Sequence, residues 1–99
     1  MPETEVGGGA GVHDERDLVI GNPQGLHLRP ATEFARLVRA SGCRVRVRTD
    51  QGDADGGSVL ELAMLALPLG SRLHVTIDGM GARELGDRLA GLVEGPDPS

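Results

Sequence analysis

Residues 43–49 read "CRVRVRT". In an extended chain successive side chains point to opposite faces, so this stretch sorts itself into two sides. Cys43, Val45 and Val47 make an apolar side, and Arg44, Arg46 and Arg48 make a basic one. Such a strand belongs to a sheet that is covered on one face and wet on the other, the usual form of an antiparallel sheet. Cys43 is then a small core residue, and the rest of the chain must supply the cover.

Upstream, residues 29–41 supply part of it. Phe34, Leu37, Val38 and Ser41 recur at helical spacing, with Ala31 and Ala35 beside them. Pro30 suits a first helical turn, where a missing N–H costs nothing. Gly42 is placed to stop the helix. Before it, "DLVIGN" (17–22) reads as a short strand closed by Gly21, Asn22 and Pro23. Residues 1–15, "MPETEVGGGAGVHDE", lack apolar periodicity and read as a disordered tail that contains a solvated His13. The tail does not resemble a signal peptide.

Downstream, "DQGDADGG" (50–57) is turn chemistry around a short, weak strand. A calcium loop starting at Asp53 fails, because its twelfth position is Met64 rather than glutamate. Ser58 is an N-cap residue and Glu61 completes a capping-box pattern, so a short helix runs to about residue 65 or 67 and stops before Pro68. "SRLHVTIDG" (71–79) alternates again, with Leu73, Val75 and Ile77 inward and His74, Thr76 and Asp78 outward. Gly79 and Gly81 form a lone GxG without the rest of a dinucleotide fingerprint, which makes it a turn. Leu85, Leu89, Leu92 and Val93 form the stripe of a last amphipathic helix. The order is β–α–β–β–α–β–α: an α+β domain, with helices on one face of an antiparallel sheet of four strands and the other face open.

Composition narrows the function. The 99 residues suffice for one small domain, expected over residues 16–95 with a C-terminal tail at 96–99. Phe34 is the only aromatic residue and the net charge is −5, which together disfavour nucleic-acid binding by stacking or by phosphate contacts. All ten basic residues are arginines. Six of them fall between Arg29 and Arg48, so a local basic face is expected on an acidic protein. A single cysteine points to a reducing compartment. No apolar run spans a membrane. A cytoplasmic monomer, with neither cofactor nor metal, is expected.

One stretch reads as chemistry. "GLHLRPA" (25–31) sets His27 immediately before the first turn of the first long helix. Unpaired backbone N–H groups and the positive end of the helix dipole converge there. That field disfavours the imidazolium and leaves a ring nitrogen nucleophilic. Once that nitrogen carries a phosphoryl group, the same N–H groups can bind its oxygens, and Arg29 can add a charge-assisted contact. Gly25 would let a reacting partner approach the backbone closely. These parts suit a reversible phosphoryl relay.

The stretch also resembles a known family. "GLHLRPA" is similar to the active-site pattern G-[IL]-H-x-R-P-A of HPr, the histidine-containing phosphocarrier of the phosphoenolpyruvate–sugar phosphotransferase system. The resemblance covers residues 16 to 94 and includes the element order, the distance from His27 to Ser58, and the turn glycines Gly70 and Gly79. It implies an open-faced β-sandwich. It implies that His27 takes phosphate from phospho-enzyme I and passes it to an enzyme IIA, as a carrier within a cascade rather than a stand-alone enzyme. Arg29 would assist the transfer and Pro30 would shape the turn. Arg36 and Arg39 match basic docking positions, and Val59 and Leu60 match an apolar docking patch. In some members the serine at the position of Ser58 is phosphorylated by an ATP-dependent HPr kinase/phosphorylase.

Some positions depart from the family pattern. Leu28 is bulky where a small residue is common, Gly57 stands where many members are basic, and Glu61 adds charge beside the patch. These bear on partner choice, with Leu28 itself at the partner surface. An alternative class is therefore an HPr-like regulatory binding protein of nitrogen or carbon control, whose phosphorylation state sets its docking.

Overall fold

The computed structural model describes residues 12–95. Four strands, β1 (His13–Val19), β2 (Arg44–Thr49), β3 (Gly52–Asp55) and β4 (Arg72–Asp78), form one antiparallel sheet in the order β1-β4-β2-β3. Three helices, α1 (Leu28–Ser41), α2 (Val59–Met64) and α3 (Ala82–Glu94), cover one face. The result is the expected open-faced α+β sandwich. Among the described residues no helix is long and apolar enough to cross a membrane.

Alternation decides which face is covered. Val45 and Val47 of β2 and Leu73, Val75 and Ile77 of β4 are all buried. They meet Ala31, Phe34, Ala35 and Val38 of α1, Leu62 of α2, and Leu85, Leu89 and Val93 of α3. Phe34, the only aromatic residue of the chain, is fully buried. Truncating such a side chain to alanine typically costs about 3–5 kcal/mol. Gly42 ends α1 in the left-handed conformation (φ 77°). Ser41 helps to close that end, since its hydroxyl donates to the Val38 carbonyl (2.6 Å) and accepts from the Cys43 N–H (3.0 Å).

The sheet begins earlier than the composition suggests. His13, Asp14 and Glu15, expected in the tail, pair with Asp78, Ile77 and Thr76 of β4. The reason lies on the inner side of β1, where only Leu18 is apolar. Asp14 and Arg16 also point inward and satisfy each other at 2.6 Å. Arg16 reaches Asp87 (2.9 Å) and the Arg83 carbonyl (3.3 Å) on α3. The pair lies flat on α3 at Gly86, where an added Cβ would fall 2.6 Å from Arg16 Nε and closer still to the Asp14 carboxylate. A charged inner edge thus replaces the apolar period that marks a strand. The rest of the expected tails, residues 1–11 and 96–99, lies outside the described residues.

On the open face, both outward histidines sit between carboxylates. His13 Nδ1 is 2.6 Å from Asp78 and Nε2 is 3.0 Å from Glu15. His74 Nδ1 is 2.9 Å from Asp17 and Nε2 is 3.0 Å from the other oxygen of Glu15. Only an imidazolium donates from both ring nitrogens. Hydrogen bonds to Asp78 and then Glu15 accordingly raise the pKa of His13, and those to Asp17 and then Glu15 raise that of His74. The same contacts, His13 first, lower the pKa of Glu15.

A raised histidine pKa stabilises the fold below the ordinary value of 6.5, and this is lost as pH rises through the folded-state values above it. The lowered Glu15 stabilises above 4.5, and this is lost as pH falls. The cluster therefore contributes most between these two values. The urea midpoint is expected to be higher near pH 6 than near pH 8.5. That difference should shrink in His13→Gln/His74→Gln and in molar salt, which screens exposed charges.

Candidate functional site

The loop before α1, the first turn of α1 and the turn after α2 build the surface around His27. Asn22 is buried; its Oδ1 accepts from the Gln24 N–H (3.0 Å) and its carbonyl accepts from the Gly25 N–H (2.8 Å). Leu26 plugs into the core, and its N–H donates to the Leu67 carbonyl at 2.8 Å. Gly25 has φ 78°, and a Cβ there would collide with the Leu67 carbonyl oxygen and lie 2.9 Å from Pro68 Cα. The close approach that requires this glycine is thus made by the chain itself rather than by a reacting partner. Ala66, just before, is left-handed without being glycine (φ 51°), a conformation that costs about 1–2 kcal/mol. The turn after α2 is held strained against the loop that carries the histidine.

This loop delivers His27 to the N-cap of α1, with extended backbone (φ −83°, ψ −171°). Its carbonyl accepts the first helical bond, from the Ala31 N–H at 3.0 Å. The first turn is Leu28, Arg29 and Pro30. Pro30 brings no N–H and is buried, whereas Leu28 and Arg29 are exposed and carry the amides of the positive helix end. The His27 side chain is half-buried with its Nε2 enclosed.

Ser58 caps α2, its hydroxyl accepting from the Glu61 N–H at 3.1 Å. The capping box closes on this side only. Glu61 turns to the Asp55 N–H (2.8 Å) instead of back to Ser58, whose own N–H donates to the Asp55 carbonyl (3.0 Å). Glu61 therefore ties α2 to β3. Val59 is half-buried against the core, while Leu60 stands 69% exposed. Leu28, at 66%, and Met64, at 74%, are equally bare. Met64 was not among the expected docking residues. Its spacing of four from Leu60 puts both on one helix face, a signal that was present in the sequence.

The expected single basic face divides in two. Arg29, Arg36 and Arg39 ride on α1, on the helix side. Arg36 is paired with Glu33 (2.7 Å), whose carboxyl it holds below the usual range. Arg39 Nε donates to the Gly57 carbonyl at 2.7 Å and pins α1 to the start of α2. Arg44, Arg46 and Arg48 point to the open face, on the other side of the sheet.

Comparison with known proteins agrees with this geometry. A family model described as the PTS HPr component phosphorylation site matches residues 14–95. The phosphocarrier protein HPr of Pseudomonas aeruginosa is 33% identical over 78 residues, covering 78% of this chain and 87% of that protein. The multiphosphoryl transfer protein of Xanthomonas campestris is 31% identical over 93 residues, covering 94% of this chain but only 11% of that much longer protein. The crystal structure of an HPr from Bacillus anthracis superposes with a TM-score of 0.76 at 23% identity, over 82% of this chain and 96% of the other, and shares the fold. The chain belongs to the HPr family, the phosphocarriers of the phosphotransferase system.

Gly25 and Gly42 provide a paired test of how the histidine loop is held. Both have positive φ, but a Cβ on Gly42 meets nothing within 4 Å. Gly42→Ala should cost about 1 kcal/mol for conformation alone. Gly25→Ala must also displace backbone and should cost more than about 2 kcal/mol in urea denaturation.

Proposed function

We propose that the chain is a phosphoryl carrier whose acceptor is His27, receiving the group from phospho-enzyme I and delivering it to an enzyme IIA in the cytoplasm. The observation that carries this reading is the placement of a half-buried imidazole at the positive end of α1, with Nε2 enclosed. In the transfer, the Nδ1 lone pair of neutral His27 attacks the donor's phosphorus. The N–P bond forms as the bond from phosphorus to the donor breaks, and that electron pair stays with the donor. The proton of the neutral ring remains on Nε2. The phosphoryl oxygens then face the Leu28 and Arg29 amides and the Arg29 guanidinium, which stabilise the charge without a covalent bond. Pro30 fixes the turn. The reverse sequence delivers the group to the next protein.

Docking is assigned to the bare apolar residues beside the histidine, Leu28, Leu60 and Met64, with Val59 beneath and Arg36 and Arg39 at the rim. An apolar centre with a charged edge suits a transient complex. Ser58 is a proposed regulatory site for an HPr kinase. Its hydroxyl already faces a helix N-terminus, and a phosphate there would sit beside Glu61 and the docking residues.

With enzyme I and phosphoenolpyruvate, the chain should take up one acid-labile, base-stable phosphate, and His27→Ala should take up none. Labelling that survives in His27→Ala would sink the assignment. Arg29→Ala should slow transfer on the order of tenfold to a hundredfold, by loss of charge stabilisation. Ser58→Asp should weaken acceptance from enzyme I while leaving His27 in place; an unchanged rate would remove the regulatory role.

A further inference from the structure

A cleft of about 540 Å³ lies between the end of α1, the start of β2 and the residues that lead into α2. Arg39 and Arg44 stand on it as cations and Asp55 as a carboxylate, and Gly57 and Ser58 form its other side. Two carboxylates flank Ser58, and both are engaged by backbone. Asp55 Oδ1 accepts from the Gly57 N–H (2.9 Å), and Glu61 accepts from the Asp55 N–H (2.8 Å). Arg39 is engaged on one side only. Its Nε donates to the Gly57 carbonyl at 2.7 Å, and among the described residues its Nη groups have no partner. The Ser58 oxygen accepts from the Glu61 N–H (3.1 Å), and its hydroxyl donates to nothing among the described residues.

We propose that a phosphate carried on Ser58 is held by the Arg39 guanidinium across the mouth of this cleft. The inference rests on the reading of Ser58 as a modification site and names what receives the group there. The phosphoryl comes from ATP: Ser58 Oγ forms the new P–O bond, the bond to the bridging oxygen of ATP breaks with its electron pair on ADP, and the hydroxyl proton passes to the kinase. Three features point to Arg39. The first is position: the carbonyl that holds the guanidinium belongs to the residue before Ser58, and both side chains line one cleft. The second is order. Exposed ion pairs are weak largely because two long side chains must be fixed. Here the arginine is already pinned through Nε and the serine is short, so the Nη groups are prepared for a charge-assisted contact to phosphate. The third is space. A Cβ on Gly57 would lie 3.7 Å from Arg39 Cγ and 3.5 Å from Asp55 Oδ1, so a longer side chain there would enter the gap that the glycine leaves open. Arg39 also stands at the rim assigned to docking. A phosphate that held it would occupy a cation that an acidic partner otherwise meets.

The test uses the full chain with phosphoserine installed at position 58 during translation, so that no kinase is needed. Phosphorus NMR follows the second ionisation of the phosphate, which lies at about 6 in free phosphoserine. It should be lower in the folded chain, and Arg39→Gln should raise it again by about 0.5 or more. The start of α2 is common to both chains, so the difference reports the arginine. Arg36→Gln, which removes a cation of α1 outside the cleft, should leave the value in place. In the chain without substitutions, the Arg39 Nε–Hε signal should move as the phosphate titrates. A phosphate indifferent to Arg39→Gln, an equal response to Arg36→Gln, or an unmoved Arg39 signal would overturn the proposal. Acceptance from enzyme I by the same chain reads the regulatory role separately. A phosphate held by Arg39 that leaves acceptance unchanged sinks that role and upholds the contact; slowed acceptance with a phosphate indifferent to Arg39 keeps the role and overturns the contact.

Discussion

The bond from the Leu26 N–H to the Leu67 carbonyl is the constraint on which the site depends. It brings the loop before α1 against the turn after α2, so that the start of α1 and the end of α2, distant in sequence, share one surface. That contact is possible because residue 25 has no side chain and because Ala66 accepts a left-handed backbone. Leu26 anchors the loop in the core, and its immediate neighbour His27 is left at the positive end of α1. The imidazole is thus held between a packed leucine and a proline-stiffened turn. Such a group can be presented to several partners without rearranging.

Charge is divided by the sheet in the same economical way. The chain is acidic overall, yet its arginines are not spread evenly. On the helix side they frame the exposed leucines and pin α1 to the segment before α2. On the open side they form a separate column, while Glu15, Asp17 and Asp78 there are taken up by two histidines and Asp55 by a backbone amide. The two surfaces can therefore carry different interactions. The helix surface is built around a histidine and apolar residues, and the open surface around charge alone.

Much of this was legible in the sequence because alternation and helical spacing are strong signals here. "CRVRVRT" carries its own account of a half-covered sheet, and the stripe from Leu85 to Val93 carries that of α3. The start of β1 was hidden because Asp14 and Arg16 solve burial by pairing with each other over Gly86, which leaves no apolar period to read. Gly25 was recognised as a place of close approach, but which atoms approach is a long-range fact that only the packing of residues 66–68 reveals. The same holds for Glu61: the local pattern offered it a partner at Ser58, whose N–H goes to the Asp55 carbonyl, and Glu61 accepts from the Asp55 N–H instead. Arg44 to Arg48 follow Arg29 to Arg39 closely in sequence, so one basic face was the natural expectation. The turn at Gly42 sends the two groups to opposite sides.

The central claim is that one nitrogen of one histidine carries the phosphoryl group. It can be read directly by nitrogen and phosphorus NMR of the chain labelled with ¹⁵N-histidine and phosphorylated through enzyme I. The account predicts that phosphorus couples to Nδ1 of His27, with the ring signals of His13 and His74 unchanged. Coupling to Nε2, or to either histidine of the open face, would contradict it.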